Sequence, residues 1–384
     1  SELIKNYAVI QGVKYLSIPM YRKINPIFDI KSIFYLIKEL LKYALDSGAS
    51  DLHLSVGNIP MLRIHGEMKK IKSPILDLES MKAIRDEILN SNQKQIFKDG
   101  LEIDFSAELE DKGRFRVNFF NQINGLSAVF RTISNDIKSS EELGIPPLVN
   151  SLAMKDRGLI LLTGPTGSGK STTLAAMIDH INENRNSHII TIEDPVEYYH
   201  TSKSCLINQR EVGHSTHSFS NALRSALRED PDVILVGEMR DLETIQLALT
   251  AAETGHLVLS TLHTSSAVKT IDRVIDVFPS GQKSQIRSML SESLVAIIAQ
   301  KLLQNKEGDG RIPASEMMIA NPAIRNLIRE DKIYQIPSLI QAGSQEGMHT
   351  LDQDLQRLLS QGVINREDAL QIAEDPESFQ KGIF

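Results

Sequence analysis

The chain of 384 residues is longer than one ordinary domain, which predicts two or three domains. Its formal net charge of −7 argues against nucleic acid as the main partner, because duplex binding needs a basic face. The single cysteine, Cys205, excludes a disulfide framework within the chain and a cysteine-based zinc site. The sequence has no apolar run of the ~18 residues that a membrane helix needs and no signal-peptide pattern at its start, so we expect a cytoplasmic protein.

The first part of the chain predicts a small α+β domain. Residues 1–30 mix apolar and basic residues with two prolines, and we assign them only as an N-terminal extension without a known role. Apolar residues at helical spacing then predict a helix over 30–47, ended by Gly48. The elements predicted next are strands over 51–55, 61–65 and 67–71, a helix over 78–97, and strands over 102–109, 114–121 and 126–133. The domain is therefore expected to span residues 31–134.

The second part of the chain predicts an α/β domain over residues 149–384. A polar stretch followed by glycine and prolines predicts a linker over 135–148. Short, continuously apolar strands with intervening helices then indicate a parallel sheet covered on both faces. The predicted strands are 158–163, 188–192, 233–236 and 257–261. Beyond about Pro279 the pattern predicts mostly helix to the end of the chain.

A glycine-rich loop carries the strongest functional signal. Gly164-Pro-Thr-Gly-Ser-Gly-Lys-Ser171 matches G-x-x-x-x-G-K-[S/T], with an apolar strand before it and a helix after it. Such a loop directs backbone N–H groups and a helix N-terminus at phosphate oxygens. We expect Lys170 to contact the β- and γ-phosphates of ATP and Ser171 to ligate Mg²⁺. The predicted nucleotide-binding residues are Gly164, Pro165, Thr166, Gly167, Ser168, Gly169, Lys170, Ser171 and Thr172.

Two further strands end in carboxylates of the kind that ATP hydrolysis requires. Glu238 follows an apolar strand and Gly237 in the manner of a Walker B element, and we expect it to act on Mg²⁺ through water. Glu193, Asp194 and Glu197 follow the strand at 188–192, and the carboxyl ends of strands line the ligand crevice in such sheets. Glu193 and Glu197 are the candidates for orienting or deprotonating the attacking water, and the sequence does not decide between them.

Histidines and arginines supply the remaining candidates. His256 and His263 bracket the strand at 257–261, where they are candidates for sensing the γ-phosphate. Arg114, Arg116 and Arg131 lie on alternating positions of strands in the first domain. They either cover solvated strand faces or reach a nucleotide at a domain or subunit boundary, as arginine fingers do.

These elements in this order resemble the secretion ATPases of type II and type IV systems, and within them the PilT pilus-retraction ATPases. The residues that carry the resemblance are 49–55, the glycine-rich loop 164–171, an aspartate box at 191–197, the segment 228–241, a histidine box at 254–256 and 261–264, and the segment 323–330. The match covers roughly residues 31–360.

The resemblance implies a PAS-like first domain, a RecA-like ATPase domain and a homohexameric ring with nucleotide between the two domains. It implies that ATP-driven domain motion acts on an inner-membrane platform protein of the pilus machinery, with the ATPase peripheral at the cytoplasmic face, so that the pilus shortens. It assigns catalysis to Glu238 and the box carboxylates, a histidine-box role to His256 and His263, and phosphate contacts to Arg116 and Arg131.

The segment 323–330 favours retraction, because the resemblance places it in retraction ATPases and not in extension ATPases. Its helical spacing gathers the apolar residues on one face and leaves Arg325, Arg329 and Glu330 for contacts. The alternatives within the family are an accessory retraction, a pilus-assembly or a type II secretion ATPase. The last two usually carry a four-cysteine zinc element, which this chain cannot form. A nucleotide-dependent regulatory module and a nucleic-acid translocase are the alternatives of other classes.

Overall fold

The computed structural model describes residues 30–64, 66–109, 113–133, 136–308 and 310–381, and over 30–36 only the backbone. The predicted N-terminal extension thus lies outside the described residues, apart from Ile30. The chain forms two compact units, and the second begins at Asp136.

The first unit combines three helices with one antiparallel sheet. Its elements are α1 Ile30–Asp46, β1 Asp51–Ser55, β2 Met61–Ile64, β3 Glu67–Lys70, α2 Leu78–Ile88, α3 Ser91–Gly100, β4 Glu102–Leu109, β5 Gly113–Gln122 and β6 Gly125–Ile133. The sheet order is β3-β2-β1-β6-β5-β4, and every neighbouring pair is antiparallel. The α+β pattern predicted for this part of the chain is confirmed.

Alternation along the strands gives this sheet one apolar and one polar face. Phe115, Val117 and Phe119 of β5 are fully buried in the core, whereas Arg114 and Arg116, at the alternate positions, are only partly buried. Helices α1 to α3 contribute the other side of that core. The arginines predicted as site residues therefore lie on the sheet face opposite the core.

The single helix predicted over 78–97 is wrong, because the chain forms two helices there. Asn90 has extended backbone angles and caps the N-terminus of α3, since its side chain accepts from the backbone N–H of Gln93. The Gln93 side chain accepts in return from the backbone N–H of Asn90. This capping box starts a new helix at a point where apolar periodicity alone suggested continuity.

The second unit is a doubly covered α/β domain. Its strands are β7 Gly158–Thr163, β8 His188–Glu193, β9 Leu206–Glu211, β10 Val233–Val236, β11 Leu257–Leu262, β12 Leu294–Gln304 and β13 Arg311–Ile319. Its helices are α4 Leu148–Ala153, α5 Lys170–Asn184, α6 Phe219–Ala226, α7 Leu242–Glu253, α8 Ala267–Asp276, α9 Lys283–Ser293, α10 Pro322–Arg329, α11 Ile336–Ala342, α12 Leu351–Ser360, α13 Arg366–Ile372 and α14 Pro376–Lys381.

The sheet of the second unit runs in the order β13-β12-β7-β11-β10-β8-β9. Its strands are parallel except β13, which pairs antiparallel with β12. Strands β7, β10 and β11 are buried along their whole length, because helices cover both faces. The predicted α/β class is confirmed, and the antiparallel edge strand is an addition to it.

The prediction of mostly helix beyond Pro279 is wrong over β12 and β13. Strand β12 is a nearly continuous apolar run, and such a run cannot be told from a buried helix by its periodicity. Helices α12 to α14 then pack a separate small core against these two strands, around Leu355 and Phe379. Ile145, within the stretch predicted as a linker, is buried in the core of the second unit.

Candidate functional site

The sheet order brings four predicted segments to one edge. Strands β7, β11, β10 and β8 are neighbours in that order and run parallel. Their carboxyl ends therefore lie at the same edge of the sheet. The glycine-rich loop, His263, Glu238 and Glu193 stand at or directly after these four ends.

The backbone of the glycine-rich loop follows a path that other residues would obstruct. Gly164 and Gly169 have φ angles of 142° and 86°, which side chains rarely adopt. A Cβ atom at Gly164 would lie 2.3 Å from the carbonyl oxygen of Gln300, and one at Gly169 would lie 2.8 Å from the Gln300 side-chain nitrogen. The loop thus packs tightly against β12 at both of its ends.

The loop presents polar groups that fit a phosphate ligand. Lys170 is buried at the start of α5, and its ammonium donates to the carbonyl oxygens of Gly164 at 2.8 Å and Pro165 at 3.0 Å. Among the residues that the structure describes, the buried hydroxyl of Ser168 has no hydrogen-bond partner. A glycine cradle with a lysine, an unsatisfied hydroxyl and a helix N-terminus suits an anion.

Lys170 is electrostatically coupled to two of the predicted carboxylates. Burial lowers the pKa of Lys170, and the negative charges of Glu238 and Glu197 oppose that shift. Both carboxylates are therefore close enough to Lys170 to affect its proton. Sequence spacing does not show this proximity, because the strands that carry them are far apart along the chain.

Glu238 follows β10 and contacts two side chains, those of Arg240 and His263. Its carboxylate lies 2.6 Å from a guanidinium nitrogen of Arg240 and 3.3 Å from Nε2 of His263. Desolvation raises the pKa of Glu238, but the hydrogen bond from Arg240 and the charges of His263 and Arg240 outweigh it, so the net shift is downward. Gly237 packs against the end of β8, where a Cβ would meet the Ile192 carbonyl oxygen at 3.2 Å.

Glu193 is held by its neighbours on β8 and β9. Its carboxylate accepts from the hydroxyl of Thr191 at 2.7 Å and from the amide of Gln209 at 3.3 Å. The residue keeps some accessible surface, but desolvation of the carboxylate raises its pKa to about 7 against the opposing effect of these hydrogen bonds. The charge of Glu197 contributes to the rise, and the backbone N–H of Glu197 lies 3.5 Å from Glu193 Oε2.

The two predicted histidines lie at opposite ends of β11. His263 follows the carboxyl end, beside Glu238. His256 precedes the amino end, and its Nδ1 lies 2.9 Å from the carbonyl oxygen of Ala251. Six strand residues separate the two ends by about 20 Å. Within this unit the crevice beside the glycine-rich loop includes His263 but not His256, so the expectation that both adjoin it is wrong for His256.

Comparisons with known proteins identify the family of the chain. Residues 28–371 match the family model described as type II/IV secretion system protein. The chain belongs to this family. The type IV pilus retraction ATPase PilT of Pseudomonas aeruginosa is 57% identical over 343 residues, which cover 89% of this chain and 99% of that protein. A twitching motility protein of Neisseria gonorrhoeae is 57% identical over 319 residues, covering 83% of this chain and 85% of that one.

A solved structure of the pilus retraction motor PilT with bound ADP is similar in fold. It superposes with a TM-score of 0.84 at 47% sequence identity, over 90% of this chain and 99% of that chain. The resemblance to the PilT-like secretion ATPases and the α/β, RecA-like fold expected for the second unit are thereby confirmed. In the part of this family member that the structure describes, no helix is both long and apolar enough to cross a bilayer.

Arg116 and Arg131 are direct partners on neighbouring strands of the first unit. Arg116 forms a bidentate pair with Asp104, and Nε of Arg131 lies 2.9 Å from a carboxylate oxygen of Asp51. Asp51 is buried, whereas the Arg131 side chain is mostly exposed. The structure thus gathers the two predicted arginines into one row on the polar face of the sheet, each oriented by an acid.

The family segment 323–330 forms α10, with Ile324 and Ile328 buried as predicted. The expectation that Arg325 is left for contacts is wrong. Its guanidinium donates to the carbonyl oxygens of Ser291 and Glu292 at the end of α9, both at 2.6 Å. Arg325 therefore caps the C-terminus of α9, because a cation suits those carbonyls. Glu330 pairs with Lys332. Arg329 is exposed on the same helix.

Sequence reasoning missed three residues that shape the site. Gln300 supports the glycine-rich loop from β12, Arg240 pairs with Glu238, and the hydroxyl of Tyr198 lies 2.9 Å from that of Thr172 on α5. A signal existed only for Gln300, since a polar residue inside the largely apolar run of β12 needs a partner when it is buried.

Proposed function

We propose that this family member is an ATP-hydrolysing motor that drives type IV pilus retraction, and so twitching motility. The observation that supports the hydrolytic activity best is the carboxyl edge itself. There a buried lysine in a glycine cradle, Glu238 after β10 and Glu193 at the end of β8 lie at the carboxyl ends of neighbouring parallel strands. The 57% identity to a pilus retraction ATPase, over 99% of that protein's length, supports retraction as the direction of the motor.

The glycine-rich loop is the proposed triphosphate site. Its residues 164–172 would surround the phosphates with backbone N–H groups, and Lys170 would place its charge on the β- and γ-phosphates. Mg²⁺ fits the same edge, because the hydroxyl of Ser171 and the carboxylate of Glu238 are the oxygen ligands that this ion prefers. When bound, the ion would neutralise charge that develops on the phosphates.

We assign water activation to Glu197 and its positioning to Glu193. Glu197 is exposed, so its carboxylate is accessible to the attacking water. The carboxylate oxygens of Glu193 instead accept hydrogen bonds from Thr191, Gln209 and the backbone N–H of Glu197. Those bonds fix the start of the turn that carries Glu197. His263 would hold Glu238 in place, and Arg240 would balance its charge.

The proposed motor is a homohexamer in which arginines of the first domain complete the nucleotide site. Arg116 and Arg131 are suited to phosphate, because they are register partners on one sheet face and a guanidinium group can bind phosphate in a bidentate manner. His256, at the far edge of its own sheet, would serve the ring at a different place from His263. The ring would act on an inner-membrane platform protein of the pilus machinery, peripheral at the cytoplasmic face of the membrane.

Phosphate release from the purified protein tests the enzyme. We expect steady ATP turnover that Lys170→Ala lowers by at least about 100-fold, because the lysine and the loop act on the phosphates as a unit. Unchanged turnover in Lys170→Ala contradicts the proposed site. DNA-stimulated turnover would instead favour a translocase.

The direction of the motor needs a cellular test. A deletion strain of the source organism should carry many surface pili without twitching, and complementation with the wild-type chain but not Lys170→Ala should restore motility. Cells without pili would indicate an assembly motor, and normal twitching would indicate an accessory or secretion role.

A further inference from the structure

Gln300 on β12 is a buried polar residue that the catalytic proposal does not use. Only 4% of its surface is exposed, and the five residues before it in the strand are apolar. Its amide nitrogen donates to the carbonyl oxygen of Ser168 at 2.7 Å, and its amide oxygen accepts from the hydroxyl of Thr173 at 2.9 Å. Gln300 therefore bridges the glycine-rich loop and the first turn of α5.

The backbone of Gln300 also contacts the loop. The carbonyl oxygen of Gln300 is the atom that a Cβ at Gly164 would strike, and its side-chain nitrogen is the atom that a Cβ at Gly169 would strike. One residue of β12 thus lies against both ends of the loop. The close approach explains why glycine is needed at these two positions beyond the φ angles alone.

The bond to Ser168 has a consequence for the opposite side of the same peptide group. In a trans peptide the C=O and the following N–H point in opposite directions. Because the Ser168 carbonyl points at Gln300, outside the loop, the N–H of Gly169 points away from Gln300 and into the loop. A fixed carbonyl on the outside therefore fixes a donor on the inside, where a phosphate oxygen needs it.

We propose that Gln300 is a positioning residue for ATP binding, which orients the Ser168–Gly169 peptide of the loop through its amide while Thr173 fixes the rotation of that amide. This inference rests on the proposal that residues 164–172 bind the triphosphate. Gln300 itself touches no substrate. Its effect falls on binding, because the donor that it orients serves the phosphates of ATP and ADP alike.

The experiment compares isosteric variants of both partners. Gln300→Met removes both hydrogen bonds with little change of volume. Thr173→Val removes only the hydroxyl that fixes the amide, and Thr173→Ser restores it. Asn182→Leu is the matched control. Asn182 is a fully buried amide that also bridges backbone groups, Thr201 and Lys203, but at the far end of α5.

The readouts are the Kd of a fluorescent N-methylanthraniloyl ADP, the KM and kcat of ATP hydrolysis, and the thermal midpoint without nucleotide. We expect Gln300→Met to raise Kd and KM about 10-fold and to change kcat less than about 3-fold, since uniform binding is lost. Thr173→Val should raise Kd about 3-fold and Thr173→Ser should return it to the wild-type value. Asn182→Leu should lower the thermal midpoint and leave Kd within about 2-fold.

The inference is overturned if Gln300→Met lowers the thermal midpoint as Asn182→Leu does while its Kd stays within about 2-fold of wild type. If Gln300→Met does not fold, the Thr173 pair decides, and equal Kd values for its valine and serine variants overturn the inference. Lys170→Ala separates the two proposals. If Lys170→Ala loses nucleotide binding and the Gln300 and Thr173 variants do not, the proposed triphosphate site stands and the role of Gln300 is overturned. If Lys170→Ala binds nucleotide like the wild type, both proposals are overturned.

Discussion

The two edges of the sheet in the second unit use polar side chains for different purposes. At the amino edge, histidine side chains contact nearby backbone carbonyls, and His188 also contacts Asn208 of β9. His256 Nδ1 lies 2.9 Å from the carbonyl oxygen of Ala251, and His188 Nδ1 lies 3.0 Å from that of Asp230. Such bonds satisfy loop backbone that would otherwise lack partners.

At the carboxyl edge, side chains from separate strands interact with one another. Glu238 after β10 pairs with Arg240 and with His263 after β11, and Lys170 after β7 responds to the charge of Glu238. Groups with mutual charge interactions have protonation states that depend on what binds beside them. The position of a histidine along its strand, more than its residue type, therefore decides whether it contacts local backbone or lies among the candidate site residues.

Among substitutions at the carboxyl edge, we expect the largest loss of kcat from a change of Glu197. We expect Glu197→Gln to lower kcat by about 1,000-fold with nucleotide affinity retained, because the proposed base is lost while the glycine-rich loop is unchanged. Single-turnover hydrolysis with equilibrium ADP binding measures both. Asp194→Asn, a change of an exposed carboxylate in the same turn, serves as the control and should cost less than about 5-fold. A larger loss of kcat in Asp194→Asn than in Glu197→Gln would assign the role of the base to Asp194.

A paired substitution tests the two edges directly with one residue type. His263→Ala should lower kcat by about 30-fold, because Glu238 loses one of its two partners. His256→Ala should change the kcat of isolated subunits by less than about 3-fold, since its bond to Ala251 lies at the far edge. Comparing turnover per subunit at protein concentrations below and above ring assembly distinguishes a catalytic effect from an assembly effect. Equal losses below assembly would contradict the comparison.

The raised pKa of Glu193 predicts that kcat depends on pH. Its pKa is about 7, so it is mostly protonated at pH 6 and mostly ionised at pH 8. The ionised form accepts the hydrogen bonds that fix the turn, so kcat should rise through pH 7. Glu193→Gln should lower kcat at pH 8 by about 5-fold and flatten the rise, because glutamine does not titrate. A wild-type profile that is flat between pH 6 and 8 would remove this role of Glu193.

Contiguous parts of the site were predictable from sequence, and parts formed by distant pairing were not. The glycine-rich loop carries its own motif, and its strand and helix flank it directly. The support that Gln300 gives to Ser168 joins residues 132 apart, through the pairing of β12 with β7. No local pattern encodes that pairing. The same limit applies to the choice between Glu193 and Glu197, which lie on one short turn and differ only in which atoms surround each carboxylate.

The fold was predictable where a periodicity had one interpretation. Alternation on β5 and β6 and the buried runs of β7 and β11 admitted a single assignment each, and the α+β and α/β classes followed. The run Leu294–Gln304 is mostly apolar and its few polar residues follow no clear period, so only its partners, β7 and β13, decide that it is a strand. Arg325 was misassigned for a similar reason, since helical spacing shows which face a residue occupies and not which carbonyls approach it.

The buried carboxyl group of Glu316 should affect the stability of the second unit and have little effect on turnover. It lies on β13 and is almost fully buried, and its carboxylate accepts from the backbone N–H of Ala267 at 2.6 Å. Burial raises its pKa to about 7. Below pH 4.5 the carboxyl group is protonated in both states and costs nothing. Between pH 4.5 and 7 the unfolded chain ionises first, so stability falls, and above pH 7 the full cost remains.

Glu316→Gln keeps an acceptor for Ala267 and removes the ionisation. We therefore expect it to stabilise the second unit at pH 8 by about 2 kcal/mol relative to its effect at pH 5. Thermal midpoints at the two pH values, with ionic strength held equal, measure the difference, and the exposed Glu253→Gln serves as the control. If Glu316→Gln shifts the midpoint equally at both pH values, its carboxylate is not ionising against the desolvation of its site.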